Sequence, residues 1–444
     1  MGLHSDLDTQ IGKPMVVIDL PSSVVKIIQI LENNGFEAFV VGGCVRDSLL
    51  QQSVPKFANI APKDWDIATS AKPLEAMEVL QSANFHIVPT GVAYGTISVI
   101  INHRAYEVTT YRIDGEYHNH RKPKQVFFTP HLRQDLSRRD FTINAMAYHP
   151  SFGLIDPYGG QKDLEAKRIV AVGEAKKRFE EDALRILRAL RFASRFGFEI
   201  ASRTNSAMFA CQKLLDFVSK ERIKEEFRGI ICGEFAREIC VQYTPIIFEN
   251  LSFSPTPLSL EILQHCPQDF ATRFLALLPP PPYPSKAHSK SLQAFCKDIL
   301  EQIFATLPYD KKFKTTIDLL YRHAFRQESF TGILIKKYLR AMGEDNFGKL
   351  LDFKIAHAQA LGANKEIQEL CKVAKDFQKI LEEKQAFRLQ DLKVNGDDIH
   401  ALGITQGKEI GKVLELLLDG VINGEVANSK TDLIAFVKKI YLYK

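Results

Sequence analysis

The hydrophobic pattern of the chain changes near Arg178, and this change limits the possible folds more than any other sequence feature. Before it, short apolar runs alternate with helical stretches. After it, apolar residues recur every three or four positions, with almost no strand-like alternation. A chain of 444 residues is also too long for one ordinary core, and its length favours about three domains. We therefore expect an α+β class, with a mixed sheet and helices first and an all-α region after it.

Individual elements can be placed from the same pattern. Four apolar runs predict strands, at 39–41, 65–68, 96–101 and 105–111. Two stretches with helical spacing predict helices, at 74–80 and 143–148. Beyond about residue 240 we expect helices only, interrupted at 252–257 and by the prolines at 279–282.

Composition excludes several classes of protein. The seven cysteines are odd in number and form no CxxC pair, which argues against a disulfide scaffold or a cysteine zinc site and fits a reducing compartment. No apolar run is long enough for a signal peptide or a membrane span, so we expect a cytoplasmic protein without membrane contact. The net charge of +5 is only weak support for a polyanionic partner. No stable protein partner is predicted.

A glycine pair follows the first predicted strand. Gly42 and Gly43 let the backbone approach a ligand closely, and the free N–H groups of the next helix suit a phosphate. Arg46 adds a positive charge nearby. A lone Gly-Gly is, however, more often only a tight turn between strand and helix.

Acidic residues mark the next two strands. Asp64 and Asp66 are two apart and should face the same way in a strand, where they would repel each other unless a cation lies between them. Oxygen ligands of this kind predict a Mg²⁺ site, and Glu107 on a further strand is a candidate third ligand. The alternatives are an acidic loop and an exposed strand glutamate.

An arginine pair and an acid stand at 138–140. Arg138 and Arg139 could hold phosphates or sugar oxygens. Ser137 and Asp140 have the spacing of a capping box, which predicts that a helix begins there. The alternative is a basic, capped surface helix.

Asp182 and Arg185 are three residues apart in a strongly helical stretch, so we expect them on one helix face. An aspartate accepts from an exocyclic amine and an arginine donates to a ring nitrogen. Cytosine and adenine both offer this pair of groups, whereas uracil and guanine do not. One Asp–Arg pair could therefore select C and A together. The more common explanation for such a pair is a salt bridge on an exposed helix.

Taken in order, these motifs resemble the class II CCA-adding enzyme family, to which bacterial poly(A) polymerases are related. The resemblance is closest over about 36–200. Looser similarity continues through the SKERI stretch at 219–223 and reappears at 402–428. It rests on GGCVRD, DWD, EVTTYR, RRDFTINA, DPYGG and EDALRILRALRF.

The resemblance implies four segments: a nucleotidyltransferase head at 1–166, and an all-α neck at 167–240, body at 241–370 and tail at 371–444. It implies that Asp64, Asp66 and Glu107 are the catalytic Mg²⁺ ligands. It also implies nucleotide contacts from a second group of residues, in which Arg188 and Arg191 support the base-reading pair: Gly42, Gly43, Arg46, Arg138, Arg139, Asp140, Asp182, Arg185, Arg188 and Arg191.

The implied reaction is the addition of C, C and A to the 3′ end of tRNA from CTP and ATP. The segment 114–123 resembles the loop of full CCA-adding members, and 91–96 lacks the basic stretch of poly(A) polymerases. Poly(A) synthesis and partial CC or A addition remain alternatives. A non-catalytic RNA-binding protein is a further one, against which the intact carboxylates argue. The chain departs from the family in a longer stretch at 50–64 and in Trp65 between the aspartates.

Overall fold

The computed structural model describes residues 16–58, 62, 64–115, 117–118, 122–123, 126–249, 251, 253–281 and 290–442. The chain forms two compact units. The N-terminal unit comprises Met1–Ile239 and Pro245–Asn250. The C-terminal unit comprises Cys240–Thr244 and Leu251–Lys444. The finer division into four segments stays a prediction.

All the strands of the described residues belong to the N-terminal unit. They are β1 Ala38–Val41, β2 Asp66–Thr69, β3 His86–Gly91, β4 Thr96–Ile101, β5 Arg104–Thr110, β6 Arg112–Asp114, β7 Tyr117–His118, β8 Lys122–Pro123, β9 Val126–Phe128, β10 Ala147–His149, β11 Gly153–Ile155, β12 Arg168–Ile169 and β13 Glu199–Ile200. Seven of them form one sheet in the order β11-β10-β1-β2-β5-β4-β3. Only β2 and β5 pair in parallel within it, so the sheet is mixed.

The helices fall into two groups. Those up to residue 248 are α1 Ser22–Asn33, α2 Gly43–Ser53, α3 Pro73–Ser82, α4 Leu132–Ser137, α5 Gly160–Glu165, α6 Ala175–Glu181, α7 Leu184–Phe196, α8 Ser202–Cys211, α9 Lys220–Ile231, α10 Ala236–Gln242 and α11 Thr244–Phe248. The later ones are α12 Pro257–His265, α13 Phe270–Leu277, α14 Lys290–Thr306, α15 Lys311–Ala324, α16 Gly332–Ala360, α17 Asn364–Glu382, α18 Gly396–His400, α19 Gly407–Asn423 and α20 Lys430–Val437. Short 3-10 turns occur at Pro55–Phe57, Val92–Tyr94, Thr142–Asn144, Gln212–Phe217 and Leu389–Asp391, and a π turn at Lys438–Leu442.

The core of the N-terminal unit is built on the sheet and on α7. Every residue of β1 is buried, as expected of a central strand that is apolar on both faces. Helix α7 ends at Phe196, and the residue after it, Gly197, has a φ of +70° that favours glycine. A Cβ on Gly197 would also lie 2.5 Å from the ring of Phe235, so the close packing at this end of α7 requires glycine.

The C-terminal unit is held by apolar and aromatic contacts between helices. Among the described residues, Phe274 packs against the rings of Phe253, Phe270, Phe304, Tyr309 and Phe313. In the described part of the chain, no strand follows Ile200, and no helix is long and apolar enough to cross a membrane. The α+β class and the helical second half predicted from the sequence are thus confirmed.

Most predicted elements of the first 150 residues are also confirmed, but the segment 137–148 is not. Here α4 ends at Ser137 where a helix was expected to begin, and the helix predicted at 143–148 is a 3-10 turn followed by β10. The reason is that the capping-box groups are used elsewhere. The Ser137 hydroxyl donates back to the carbonyl of Gln134, and the Asp140 carboxylate accepts from Asn144 and from Arg188 of α7.

Candidate active site

Two carboxylates lie side by side on the parallel strands of the sheet. Asp66 is the first residue of β2, and its register partner on β5 is Glu107. On β5, Tyr106 and Val108 are buried while Glu107 is exposed, as the alternation of a strand requires. The fold therefore brings together two of the three predicted metal ligands, although they are 41 residues apart in sequence.

The third acid, Asp64, precedes the strand. It is exposed, Trp65 after it is buried, and Asp66 is partly buried. Burial raises the pKa of Asp66, and the negative charges of Glu107 and Asp64 raise it further, while Arg139 lowers it. Hard oxygen donors with surplus negative charge suit a divalent cation. Among the residues that the structure describes, no group of three or more acidic, histidine or cysteine side chains is arranged to hold a metal ion.

The glycine turn lies beside an arginine. Gly42 has a φ of +80°, α2 begins at Gly43, and a Cβ on Gly42 would lie 2.7 Å from Nη1 of Arg139. Arg139 also donates to Asp135, while its buried Nε has no hydrogen-bond partner among the described residues. The turn thus combines the free N–H groups of a helix start with an arginine that has an unused donor, a combination that favours an anion.

Arg46 is buried beneath this turn. Its guanidinium donates to Asp47 at 2.8 Å and to the side chain of Asn144, and it stacks on Phe192 and Phe196 of α7 at 5.0 and 5.1 Å. Burial lowers its pKa, and the charge of Asp47 opposes that effect. These contacts connect α2 to α7. The role of Arg46 in holding a triphosphate stays a prediction.

Asp140 is also buried, and protein groups bind both its oxygens. Its Oδ1 accepts from the backbone N–H of Phe141 and from Nδ2 of Asn144, and its Oδ2 accepts from Arg188 at 2.7 Å. Burial alone would raise the pKa of Asp140, but the charge of Arg188 and the hydrogen bond from Asn144 hold it well below the usual range. Arg138 is paired with Asp135 instead.

The prediction that Asp182 and Arg185 lie on one helix face is wrong. Asp182 is extended, with φ −138° and ψ 100°, and separates α6 from α7. Its carboxylate accepts from the backbone N–H of Leu184 at the start of α7 and from both Nη atoms of Arg222. Arg185 donates to Glu181 and to the carbonyl of Arg138. Asp182 lies in the break between the two helices and Arg185 in the first turn of α7, and each side chain has protein partners.

Several residues around the site were missed by sequence reasoning. Glu226 accepts from Arg191 at 2.6 Å and lies 3.9 Å from Arg188. Asn144 connects Arg46 to Asp140, and Arg222 holds Asp182. Asn144 and Arg222 lie within RRDFTINA and SKERI, two of the motifs on which the family resemblance rests. Membership of these motifs was the sequence feature that could have identified the two residues.

Two further predicted features have different outcomes. In DPYGG, Asp156 accepts from the backbone of Gly160 and Gln161, so this motif caps α5. The loop 114–123 lies partly outside the described residues, at 116 and 119–121, as does the long stretch 50–64, at 59–61 and 63.

Profiles of known families match most of the chain. One described as "Poly A polymerase head domain" matches residues 38–170. Another, "Probable RNA and SrmB- binding site of polymerase A", matches 197–240, and a "tRNA nucleotidyltransferase domain 2" profile matches 301–437.

Individual relatives agree with these profiles. A CCA-adding enzyme of Lactobacillus delbrueckii subsp. bulgaricus is 30% identical over 426 residues, which cover 95% of this chain and 98% of the relative. A CCA-adding enzyme of Oceanobacillus iheyensis is 45% identical over 217 residues, 49% of this chain and 51% of the relative. In such higher-identity matches the chain spans about half the length of the curated relatives.

Solved structures are similar over nearly the whole chain. The Bacillus stearothermophilus CCA-adding enzyme in complex with CTP has a TM-score of 0.66 and 28% identity, and the match covers 94% of this chain and 96% of that one. The Thermotoga maritima CCA-adding enzyme complexed with tRNA has a TM-score of 0.57 and 20% identity, over 95% of this chain and 96% of that one, a likeness of fold alone.

Proposed function

Because the chain belongs to the family of CCA-adding enzymes, we propose that it adds C, C and A in turn to the 3′ end of tRNA, using CTP and ATP without a template. The observation that carries this proposal is the in-register pair Asp66 and Glu107 beside the glycine turn and Arg139. This arrangement places metal-binding oxygens next to an anion site, as nucleotidyl transfer requires. Seven cysteines without a CxxC pair favour the cytoplasm as its compartment.

In this proposal the carboxylates of Asp64, Asp66 and Glu107 would hold Mg²⁺. When bound, Mg²⁺ supplies positive charge against the negative charge that develops on the attacking and leaving oxygens. The N–H groups at the start of α2 and the guanidinium of Arg139 hold the triphosphate. The tRNA 3′-hydroxyl then attacks the α-phosphate, a new phosphodiester bond forms, and pyrophosphate leaves. Positioning supplies much of the rate.

Base selection is assigned to the segment between α6 and α7. The Asp182 carboxylate accepts from the exocyclic amine of cytosine or adenine, and the Arg185 guanidinium donates to the neighbouring ring nitrogen. Arg185 is buried and donates hydrogen bonds to Glu181 and to the carbonyl of Arg138. To bind a base, it therefore has to exchange one of these hydrogen bonds for one to the base.

An extension assay tests the proposal. Purified protein is mixed with Mg²⁺, CTP, ATP and a tRNA that lacks its last three nucleotides. Addition of C, C and A followed by termination is the expected result. A long A tract would instead support a poly(A) polymerase, to which the "Poly A polymerase head domain" match is relevant. Binding of the tRNA without extension would support a non-catalytic RNA-binding protein.

The metal ligands give a sharper prediction, for Asp66→Asn. Since changing residues behind metal ligands already costs about 10- to 100-fold, loss of a ligand should lower kcat by at least about 100-fold. Stability should stay the same or increase, because the change removes repulsion with Glu107 and Asp64. Single-turnover C addition and thermal melting measure the two effects. Normal turnover in this variant would rule out the proposed metal site.

A further inference from the structure

We propose that Asp135 of α4 is a positioning residue that directs the guanidinium of Arg139 towards the glycine turn; this inference rests on the proposed function. Asp135 is buried, and both arginines of the 138–139 pair donate to its carboxylate. Its other hydrogen bond in the described structure comes from the backbone of Arg112. Any effect of Asp135 on a bound triphosphate therefore has to pass through the arginines that it holds.

The two oxygens of Asp135 hold one arginine each. Oδ1 accepts from Nε and Nη2 of Arg138 at 2.9 and 2.7 Å, and Oδ2 accepts from Nη2 of Arg139 at 3.2 Å. Oδ1 also accepts from the backbone N–H of Arg112, the first residue of β6, at 3.3 Å. Donors from two segments thus fix the orientation of the carboxylate, and the carboxylate in turn fixes the end of Arg139 that it binds.

The contact with Asp135 uses Nη2 of Arg139 and leaves the other two nitrogen atoms for a ligand. A Cβ on Gly42 would lie 2.7 Å from Nη1, and the buried Nε has no hydrogen-bond partner among the described residues. The donors of a guanidinium lie in one rigid plane. Holding Nη2 therefore sets the direction of Nη1, which lies against the turn where α2 begins.

The charge of Asp135 also allows two arginines to lie side by side. Burial alone would raise the pKa of Asp135, but the charges of Arg138 and Arg139 hold it below its usual value, so the carboxylate is ionised at neutral pH. Two guanidinium groups around one carboxylate leave a net positive charge, which suits an anion. Without the carboxylate the two guanidinium groups would repel each other, and the side chain of Arg139 would leave its present position.

Asp66 is the acid to which a released Arg139 could turn. The antiparallel pairing of β1 with β2 places Val40 opposite Ile67, so Asp66 lies beside Val41, directly before the glycine turn. Burial raises the pKa of Asp66, and the charge of Arg139 is close enough to oppose this shift. Asp135 therefore keeps Arg139 at the turn instead of on a proposed metal ligand.

Binding of inorganic tripolyphosphate tests the direction of Arg139 without any nucleotide addition. Calorimetric titration, with the same Mg²⁺ concentration in both solutions, compares wild type with Asp135→Asn. The control is Glu165→Gln, which removes the same charge from an exposed acid of α5. Asp135→Asn should weaken tripolyphosphate binding about 10-fold, roughly the effect of one charge-assisted hydrogen bond, and Glu165→Gln should match wild type.

The sign of the effect separates direction from charge. Removing an acid beside an anion site should strengthen anion binding if only the net charge mattered, whereas loss of the direction of Arg139 should weaken it. The double variant Asp135→Asn with Arg138→Gln has the net charge of wild type but no acid to hold Arg139. It should bind tripolyphosphate more weakly than Arg138→Gln alone, and it replaces Asp135→Asn as the test if repulsion between the arginines prevents that variant from folding. Unchanged or tighter binding on loss of Asp135 would overturn the inference.

Kinetics of single C additions give a second readout. Asp135→Asn should raise the KM for CTP and leave the preference for CTP over UTP unchanged, because Asp135 does not contact Asp182 or Arg185 in the described structure. In an Arg139→Gln background the same change should alter the KM little, since Asp135 acts through Arg139. Additive losses of the two changes would overturn the inference. Wild-type protein that binds tripolyphosphate but adds no nucleotide would instead overturn the proposed function, while the direction of Arg139 would still be supported.

Discussion

Asp140 illustrates how much of this site is decided by individual side chains. It was expected to contact the nucleotide, but four donors from three residues occupy its two oxygens. Through Arg188 it connects the segment after α4 to helix α7. Its position is therefore that of a buried junction between these segments, and its contact with the nucleotide stays a prediction.

The first residue-scale prediction concerns Asp140→Asn. The change removes the charge that holds Arg188, so the unfolding free energy should fall by about 2 kcal/mol, less than for a fully buried pair because Arg188 is partly exposed. Urea denaturation followed by the fluorescence of Trp65, the only tryptophan, measures it. Asp19→Asn, at an exposed acid of the same unit, should have no effect. A variant at position 140 as stable as wild type would contradict this account.

A second residue-scale prediction separates backbone strain from the contact with Arg139. Gly42 and Gly35 have similar φ values, +80° and +85°, but only a Cβ on Gly42 would meet a neighbouring atom within 4 Å. Changing either to alanine should cost about 1 kcal/mol of stability through strain. Only Gly42→Ala should also raise the KM for CTP, because the new methyl group displaces the guanidinium of Arg139. Equal KM values for the two variants would contradict the role of Arg139 in binding the triphosphate.

At the scale of elements, the long stretch 50–64 has a visible packing role. Phe57, in the 3-10 turn after α2, is buried and packs edge-to-face on Phe196 at the end of α7. Lys56 lies over the ring of Phe235 and pairs with Glu234. The described part of this stretch therefore braces the C-terminal end of α7.

Truncation of the two side chains should separate their contributions. Phe57→Ala should lower the unfolding free energy by about 3 kcal/mol, since it removes a buried aromatic ring. Lys56→Ala should cost less than about 1 kcal/mol, because its ion pair is half exposed. Urea denaturation of both variants is the measurement. Similar losses for the two would show that the brace does not depend on burial of Phe57.

At the scale of the whole molecule, the sequence predicts correctly the elements whose structure is determined by neighbouring residues. The prediction is wrong where contacts with residues distant in the sequence determine the structure. The strands at 96–101 and 105–111 follow from alternation. The break at Asp182 depends on Arg222, forty residues away, and the segment 137–148 depends on Arg188. The register of Asp66 with Glu107 is likewise a pairing of distant strands. Motif order could indicate that such residues belong to one site, but not which of them bind each other.

The C-terminal unit gives the last prediction, a dependence of stability on pH. His323 of α15 contacts the hydroxyl of Tyr338 at 3.1 Å. Burial lowers the pKa of His323 to about 4, with the positive charge of Arg326 as a further cause, whereas an unfolded histidine titrates near pH 6.5 (about the model-peptide value). Between these values the unfolded chain binds more protons than the folded one. Stability is therefore lost as pH falls from about 6.5 towards 4.

Melting followed by far-UV circular dichroism at pH 7.5 and 5.0 measures this loss, and Trp65 fluorescence reports separately on the N-terminal unit. His323→Gln cannot bind the proton, so its melting temperature should differ less between the two pH values than that of wild type. His400→Gln, at an exposed histidine of the same unit, should retain the full difference. If His323→Gln and wild type respond equally to pH, the buried histidine does not contribute, and the response must come from other titrating groups.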